Sequence, residues 1–164
     1  MNQLVRIIKI ASGFGWRKRF WLLLMYPLSG FVRWMVLITP FKYLSRMLGC
    51  HYRNHQLSVL VSEEQLQLAR EIGGTIALLD KYTPWQTNCM VEAILARMWL
   101  GFYRIPYVFY MGAYLTKDAP EPMKAHAWVS VGSKFIVGGR GHQRYAVVGT
   151  FVSKMLAESL DGRR

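Results

Sequence analysis

Residues 125–137 read AHAWVSVGSKFIV, and this stretch predicts two short strands joined by a tight turn. The valine-containing segments 125–131 and 134–137 favour extended structure. Gly132-Ser133 between them suits a two-residue type II′ turn, which needs a positive φ at its first central residue. The stretch therefore predicts an antiparallel hairpin and, with it, an antiparallel sheet in the C-terminal part of the chain.

Successive side chains of a strand point to opposite faces, so His126 and Trp128 are expected on one face of the first strand. Ala127, Val129 and Val131 fall on the other face and are apolar enough to enter the core. His126 is therefore expected on the face away from those residues, where it meets solvent or the end of a helix. A strand histidine in that position is either a structural residue or a base.

Cys89 is the second residue of interest, because residues 89–100 have a helical pattern and Gly101 follows as a stop signal. A cysteine in the first turn of a helix meets unpaired backbone amides and the positive end of the helix dipole, which stabilise a thiolate. Its own amide is placed to form half of an oxyanion hole. The alternative is a buried structural cysteine. With His126 as the base, Cys89 gives the nucleophile–base pair of a thiol enzyme.

Such a pair needs a third group that orients the imidazole. If the hairpin pairs Trp128 with Val137, His126 lies opposite Gly139. An orienting Asp is then expected at position 138 or 139, and both positions hold glycine. The candidates that remain are Gln143, Asp118, Glu121 and a backbone carbonyl.

The N-terminal third is predicted to be helical. Residues 4–11 form a first apolar pattern, and residues 16–37 form a second that Pro27 is expected to break or kink. Thr39-Pro40 predicts the N-cap and first residue of a third helix ending at Gly49. Ser62-Glu63-Glu64-Gln65 is a capping box that begins a further helix.

Strands are expected at 105–115 and 145–152, and a short polar helix or disorder after 153. We expect one domain over residues 1–164. It comprises a basic, apolar helical region (1–60), a core of helices and antiparallel sheet (61–152) and a tail (153–164).

The net charge of +12 is unevenly distributed, since residues 1–62 contain nine Lys or Arg and no Asp or Glu. Such a region favours an acidic peptide, a partner protein or an anionic membrane surface. No nucleic-acid-binding signature accompanies it, so no nucleic-acid partner is expected. Two cysteines are too few for a disulfide framework, which favours a reducing compartment such as the cytoplasm.

Two other features have competing interpretations. Residues 20–38 are very apolar, but the charge-free part, 20–32, is short for a membrane span. A core helix, or a helix lying on a membrane or partner, is expected instead. Cys50, His51 and His55 lack a fourth ligand for a metal, so we expect a polar connector with a small buried thiol and no metal site or cofactor.

These residues together resemble the transglutaminase-like proteases of lasso-peptide biosynthesis, which are the leader peptidases of that pathway. The resemblance covers residues 84–151 and rests on these elements: Asn88-Cys89-Met90, Arg104-Ile105-Pro106, the strand 108–112, Ala125-His126-Ala127-Trp128-Val129 and Tyr145-Ala146-Val147-Val148.

The resemblance implies an α+β fold with a papain- or transglutaminase-like core. In it, N-terminal helices and a cysteine-bearing helix pack on an antiparallel sheet that carries the histidine. It implies a cysteine peptidase in which Cys89 is the nucleophile and His126 the general base and acid. The implied partners are a precursor peptide with its leader, a small leader-recognition protein and an ATP-dependent macrolactam synthetase. The family usually has an Asp beyond the histidine, at the place where this chain has glycine.

Overall fold

The computed structural model describes residues 13, 15–52, 59–85, 87–115 and 122–161. Within them, helices α1 and α2 precede a short first strand, α3 and α4 follow, and a C-terminal helix α5 comes after the remaining strands. The helices are α1 (Trp16–Ile38), α2 (Phe41–Met47), α3 (Glu63–Tyr82), α4 (Cys89–Phe102) and α5 (Lys154–Asp161). The strands are β1 (Cys50–Tyr52), β2 (Val108–Leu115), β3 (Met123–Val131), β4 (Lys134–Val137) and β5 (Ala146–Val152).

The five strands form one sheet in the order β1-β5-β2-β3-β4, and every neighbouring pair is antiparallel. The helix α4 packs against β3, with α1 and α3 packed on α4 in turn. The predicted α+β architecture, with the cysteine helix on an antiparallel sheet that carries the histidine, is therefore confirmed.

Two apolar clusters form on the two faces of the sheet. The first, here called the helix-side core, joins α1, α3 and α4 to inward-facing sheet residues such as Phe109, Ala127 and Val129. The second, here called the outer cluster, includes Tyr110 and Trp128 and is partly covered by Leu156 of α5. The predicted alternation along β3 is confirmed, because residues 127 and 129 lie in one cluster and residue 128 in the other.

The predicted hairpin forms, but its register is wrong by one residue. Val131 pairs with Lys134 across the Gly132-Ser133 turn, and Gly132 has the positive φ of +57° that a type II′ turn needs. A β-bulge then shifts the pairing, so that Val137 lies opposite Val129 and not opposite Trp128. A bulge adds one unpaired residue to one strand, which period-two reasoning does not detect.

The N-terminal helices also differ from expectation. Helix α1 runs without a break through Pro27, because residues on both sides of the proline, Met25 and Val32 among them, are anchored in the helix-side core. Thr39 is the C-cap of α1, and Pro40, not Thr39, is the N-cap of α2. The capping box at Ser62 is confirmed. The predicted helix at 4–11 lies outside the described residues.

Cys50 and His51 lie on the edge strand β1, which pairs only with β5 among the described strands. The expectation of a connector with a buried thiol is wrong, because an edge strand leaves one side uncovered and Cys50 is exposed. His55, the third residue of that motif, lies outside the described residues. The tail forms the helix α5 at Lys154–Asp161.

Candidate active site

Cys89 is the first residue of α4, as the sequence predicts. Asn88 caps the helix, and its side-chain Oδ1 accepts a hydrogen bond from the Val91 amide at 3.0 Å. The remaining amides of the first turn point out of the helix end, where they favour negative charge. Cys89 is half-buried, and its side chain packs against the helix-side core.

Trp85 fixes the segment that leads into Cys89. Its indole Nε1 donates to the hydroxyl of Ser29 at 3.1 Å, and that hydroxyl donates to the Tyr26 carbonyl at 2.7 Å. The indole packs on the Tyr26 ring, with centroids 5.3 Å apart, and lies against Gly30 of the same helix. The long N-terminal helix is therefore part of the support for the cysteine segment.

Glu92 lies one turn after Cys89 on the same side of α4. Burial, with a smaller contribution from the nearby Asp80 carboxylate, raises the pKa of Glu92 to about 7. Asp80 itself accepts a hydrogen bond from the Thr87 hydroxyl. Because Glu92 is only partly ionised at neutral pH, it adds less negative charge beside a Cys89 thiolate than an ordinary glutamate would.

His126 lies on β3 opposite Gly112 of β2, with its ring on the outer-cluster face. Its Nε2 lies 2.8 Å from the Gly138 carbonyl oxygen. A carbonyl can only accept a hydrogen bond, so Nε2 carries the proton in the neutral ring and Nδ1 is left as the basic nitrogen. The ring is held between Trp128, with centroids 5.7 Å apart, and Tyr145, at 5.0 Å.

The third group of the site is therefore a backbone carbonyl, at the position where an aspartate side chain was expected. An aspartate cannot take the place of Gly138 on this backbone, because φ is +68° and a Cβ would lie 2.3 Å from the Ala127 carbonyl oxygen. A Cβ at Gly139 would lie 2.7 Å from the Cβ of Phe135. Of the other candidates, Gln143 is exposed, while Asp118 and Glu121 lie outside the described residues.

Cys89 and His126 lie on two elements that pack on each other, helix α4 and strand β3. The C-terminal end of α4 is tied to the segment that leads into β2, since the Ile105 amide donates to Leu100 O and Val108 begins β2 three residues later.

The two side chains do not meet, however. Cys89 belongs to the helix-side core, whereas the His126 ring belongs with Trp128 on the outer face. Within the part of the chain that the structure describes, no hydrogen bond joins them. Because the two side chains lie on different faces of the sheet, a proton transfer between Cys89 and His126 requires this site to rearrange when substrate binds.

His142 is a residue that the sequence-based reasoning missed. Its Nδ1 lies 2.7 Å from the Gly139 carbonyl oxygen, and its ring lies against Trp128 and, at 4.2 Å, Phe135. Two histidines thus bind successive carbonyls of one glycine-rich segment on either side of one tryptophan. In the sequence, the two glycines before His142 indicate a tight turn. They do not indicate which carbonyl the His126 ring or the His142 ring contacts.

No group of three or more His, Cys, Asp or Glu side chains able to hold a metal ion occurs among the described residues. The arrangement supplies two reactive side chains. These are a thiol at a helix N-terminus and an imidazole whose orientation is fixed by a carbonyl.

A comparison with models of protein families matches residues 35–150 to the transglutaminase-like superfamily. That superfamily includes cysteine proteases and transglutaminases, and its fold is typical of cysteine peptidases. The matched region runs from α1 to β5, so it includes Cys89, His126 and the glycine segment. No curated protein and no solved structure matches the chain at the threshold used for significance.

Proposed function

The chain belongs to the transglutaminase-like superfamily, and from that premise we propose that it is a cysteine peptidase. Its substrate is a ribosomally made lasso-peptide precursor, from which it removes the leader peptide. The family match supports the class of enzyme, and the resemblance of the motifs around Cys89 and His126 supports the substrate. The observation that carries the proposal is the position of Cys89 at the capped N-terminus of a helix packed on the histidine strand.

In the proposed reaction, the Cys89 thiol gives its proton to Nδ1 of His126 and the sulfur attacks the scissile carbonyl carbon. The Cys89 amide and its neighbours in the first turn of α4 stabilise the resulting oxyanion. The C–N bond then breaks, the imidazolium protonates the leaving amine, and a thioester remains on Cys89. Water, deprotonated by His126, attacks the thioester and releases the leader as a carboxylic acid with the free thiol.

A cleft on the helix-side face of the sheet suits an acidic stretch of a leader peptide. It has a volume of about 620 Å³ and is lined by Arg46 and His51 together with Met111, the residue of β2 that pairs with Ala127. The cleft therefore extends from the basic residues of α2 and β1 to the middle of β2. A guanidinium in such a cleft is suited to bind peptide carboxylates.

The further partners that the resemblance implies belong to this proposal: a small leader-recognition protein that presents the precursor, and an ATP-dependent macrolactam synthetase that closes the ring. A cytoplasmic location accompanies them, because the proposed nucleophile is a reduced thiol.

The direct test is to incubate precursor peptide, leader-recognition protein and this chain, and to weigh the products by mass spectrometry. Wild type should release the leader, and Cys89→Ala should lose about 10³-fold or more in rate, because the nucleophile is removed. Cys50→Ala is the matched control, since Cys50 is exposed on the edge strand β1. This variant should cleave the precursor at the wild-type rate. Cleavage by Cys89→Ala at the wild-type rate would show that the nucleophile is assigned wrongly.

A second candidate is a peptide-binding scaffold of the same pathway that has lost catalysis. Two observations favour it: the absence of a hydrogen bond between Cys89 and His126, and glycines that exclude an aspartate at positions 138 and 139. Wild type that binds the precursor in the presence of the partner, yet never cleaves it, would favour the scaffold over the peptidase.

A further inference from the structure

Helix α1 has two apolar stripes on opposite sides. One stripe, at a spacing of three and four residues, is buried in the helix-side core and includes Trp21, Met25 and Val32. The opposite stripe is equally apolar and faces outward, and it consists of Trp16, Phe20, Leu23, Leu24, Pro27, Phe31, Trp34 and Ile38. A surface helix of a soluble domain normally has a polar outer side. This outer stripe, which we call the outward face, is therefore a surface that something covers.

The outward face continues onto the end of α4. Phe20, Leu24 and Phe31 line a groove of about 520 Å³ whose other wall contains Met98 and Phe102. Phe102 is 79% exposed, although it is a large aromatic side chain on a helix terminus. The wall residues are apolar apart from the indole of Trp21 and Trp99 and the hydroxyl of Tyr103. The groove is thus shaped to take hydrocarbon.

The composition of the outward face favours lipid over a protein partner. A protein–protein interface carries about one hydrogen bond per 100–200 Å², yet no residue of the outward face has a polar side chain except its two tryptophans. Trp16 and Trp34 stand near the two ends of the face, and both are more than half exposed. Aromatic side chains with leucines on one face of a helix, and cations beside them, are typical of helices that lie in a membrane interface.

The surrounding charge points to an anionic surface. The described part of the N-terminal region, residues 13, 15–52 and 59–62, contains no acidic residue. Exposed cations adjoin the face in the sequence at Arg19, directly before Phe20, and at Arg104, two residues after Phe102. Basic residues beside an apolar face are attracted to anionic headgroups.

The helix is long and apolar enough to cross a membrane by length and composition alone. The buried stripe argues against that orientation, because Trp21, Met25 and Val32 would have to leave the core that holds α1 to α4 and α3. A helix buried on one side and apolar on the other can instead lie flat, with its outward face about 5–10 Å into the interface.

We infer that the outward face of α1, extended by the groove at the end of α4, docks the folded domain on an anionic lipid bilayer. The inference does not depend on the peptidase proposal, since it uses none of the residues assigned to the reaction.

The experiment is co-sedimentation of the full chain with vesicles of phosphatidylcholine containing phosphatidylglycerol, compared with phosphatidylcholine alone. Wild type should bind the anionic vesicles, and added salt should weaken binding because it screens the cations. The triple variant Phe20→Ser, Phe31→Ser, Trp34→Ser should lose about tenfold or more in vesicle affinity. The matched control, Leu60→Ser with Leu115→Ser, removes two exposed apolar side chains outside this face and should bind as wild type.

A second measurement uses lipids with brominated acyl chains, which quench tryptophan only at close range. Wild-type fluorescence should be quenched on binding, and Trp16→Phe with Trp34→Phe, which keeps the face apolar, should remove most of the quenching. Wild type that stays in the supernatant at low salt, or a triple variant that binds fully, would overturn the inference. So would a stable dimer without lipid that the triple variant converts to monomer, since the face would then be a protein interface.

Discussion

His126 Nε2 lies 2.8 Å from the carbonyl oxygen of Gly138, the residue that stands where an orienting aspartate is expected. The carbonyl fixes the ring and its tautomer without a formal negative charge. An aspartate would also stabilise the imidazolium that forms during the reaction, and a neutral carbonyl does so less strongly. The carbonyl therefore orients the imidazole, with weaker electrostatic support for its charged form than a carboxylate would give.

His126 and His142 contact the carbonyls of Gly138 and Gly139, and their replacement should affect catalysis differently. We expect His126→Ala to lower the cleavage rate by about 10²–10⁴-fold, because it removes the proposed general base. His142→Ala should lower it by less than about tenfold, because His142, which contacts Gly139, Trp128 and Phe135, receives no proton in the proposed scheme.

The measurement is the cleavage rate of each variant, together with the alkylation rate of Cys89 in a Cys50→Ala background. Equal losses in the two histidine variants would contradict the assignment of His126 as the base.

Gly138→Ala should destabilise the protein by about 2–4 kcal/mol, because it puts a side chain at positive φ and against the Ala127 carbonyl. Gly74→Ala is the matched control: Gly74 lies within α3, and a Cβ there would meet nothing within 4 Å. It should stabilise by about 0.5–1 kcal/mol through helix propensity. Urea denaturation of both variants gives the free energies of unfolding. A Gly138→Ala protein as stable as wild type would mean that the segment is not held in this conformation.

Glu92→Gln should make stability less dependent on pH. The pKa of Glu92 is raised to about 7 in the folded state, so the folded protein binds more protons than the unfolded chain between about pH 4.5 and pH 7. Wild-type stability should therefore decrease as the pH rises through this window. The variant should be more stable than wild type at pH 8, by about 1–2 kcal/mol after allowance for partial solvent screening.

Urea denaturation across this pH range measures the difference, which should shrink toward pH 4.5. Glu158→Gln, on the exposed side of α5, serves as the control and should change stability little at any pH. If the free energy of unfolding of Glu92→Gln varied with pH in parallel with that of wild type, burial would not raise the pKa of the Glu92 carboxyl.

Trp85→Phe should destabilise the protein by about 1 kcal/mol, because it removes the hydrogen bond from the indole to the buried Ser29 hydroxyl. The control is Trp34→Phe, at an exposed position of α1, the helix that carries Ser29. It should change the free energy of unfolding little. If Trp85 positions the cysteine segment, Trp85→Phe should also slow alkylation or cleavage at Cys89 while Trp34→Phe does not. Equal unfolding curves for the two variants would mean that the hydrogen bond contributes nothing.

The sequence by itself determined the elements whose signals are local. The Asn88 cap and the Ser62 capping box mark helix starts through side chains that bond amides three residues away. The period-two pattern of β3 assigned Ala127 to the core and Trp128 to the other face, and Gly132-Ser133 specified the turn. Each of these depends on interactions within a few residues, so composition and spacing suffice to predict it.

Only the tertiary structure decided the rest of the site. The bulge opposite Val129 shifted the register of the hairpin by one residue, and the Gly138 carbonyl accepts a hydrogen bond from His126. The packing of Trp85 on α1 joins residues that are far apart in the sequence. The burial of Glu92 depends on which neighbouring elements cover its side chain. Whether Cys89 and His126 meet is likewise set by how α4 packs on β3. Such relationships depend on long-range packing, which residue spacing does not encode.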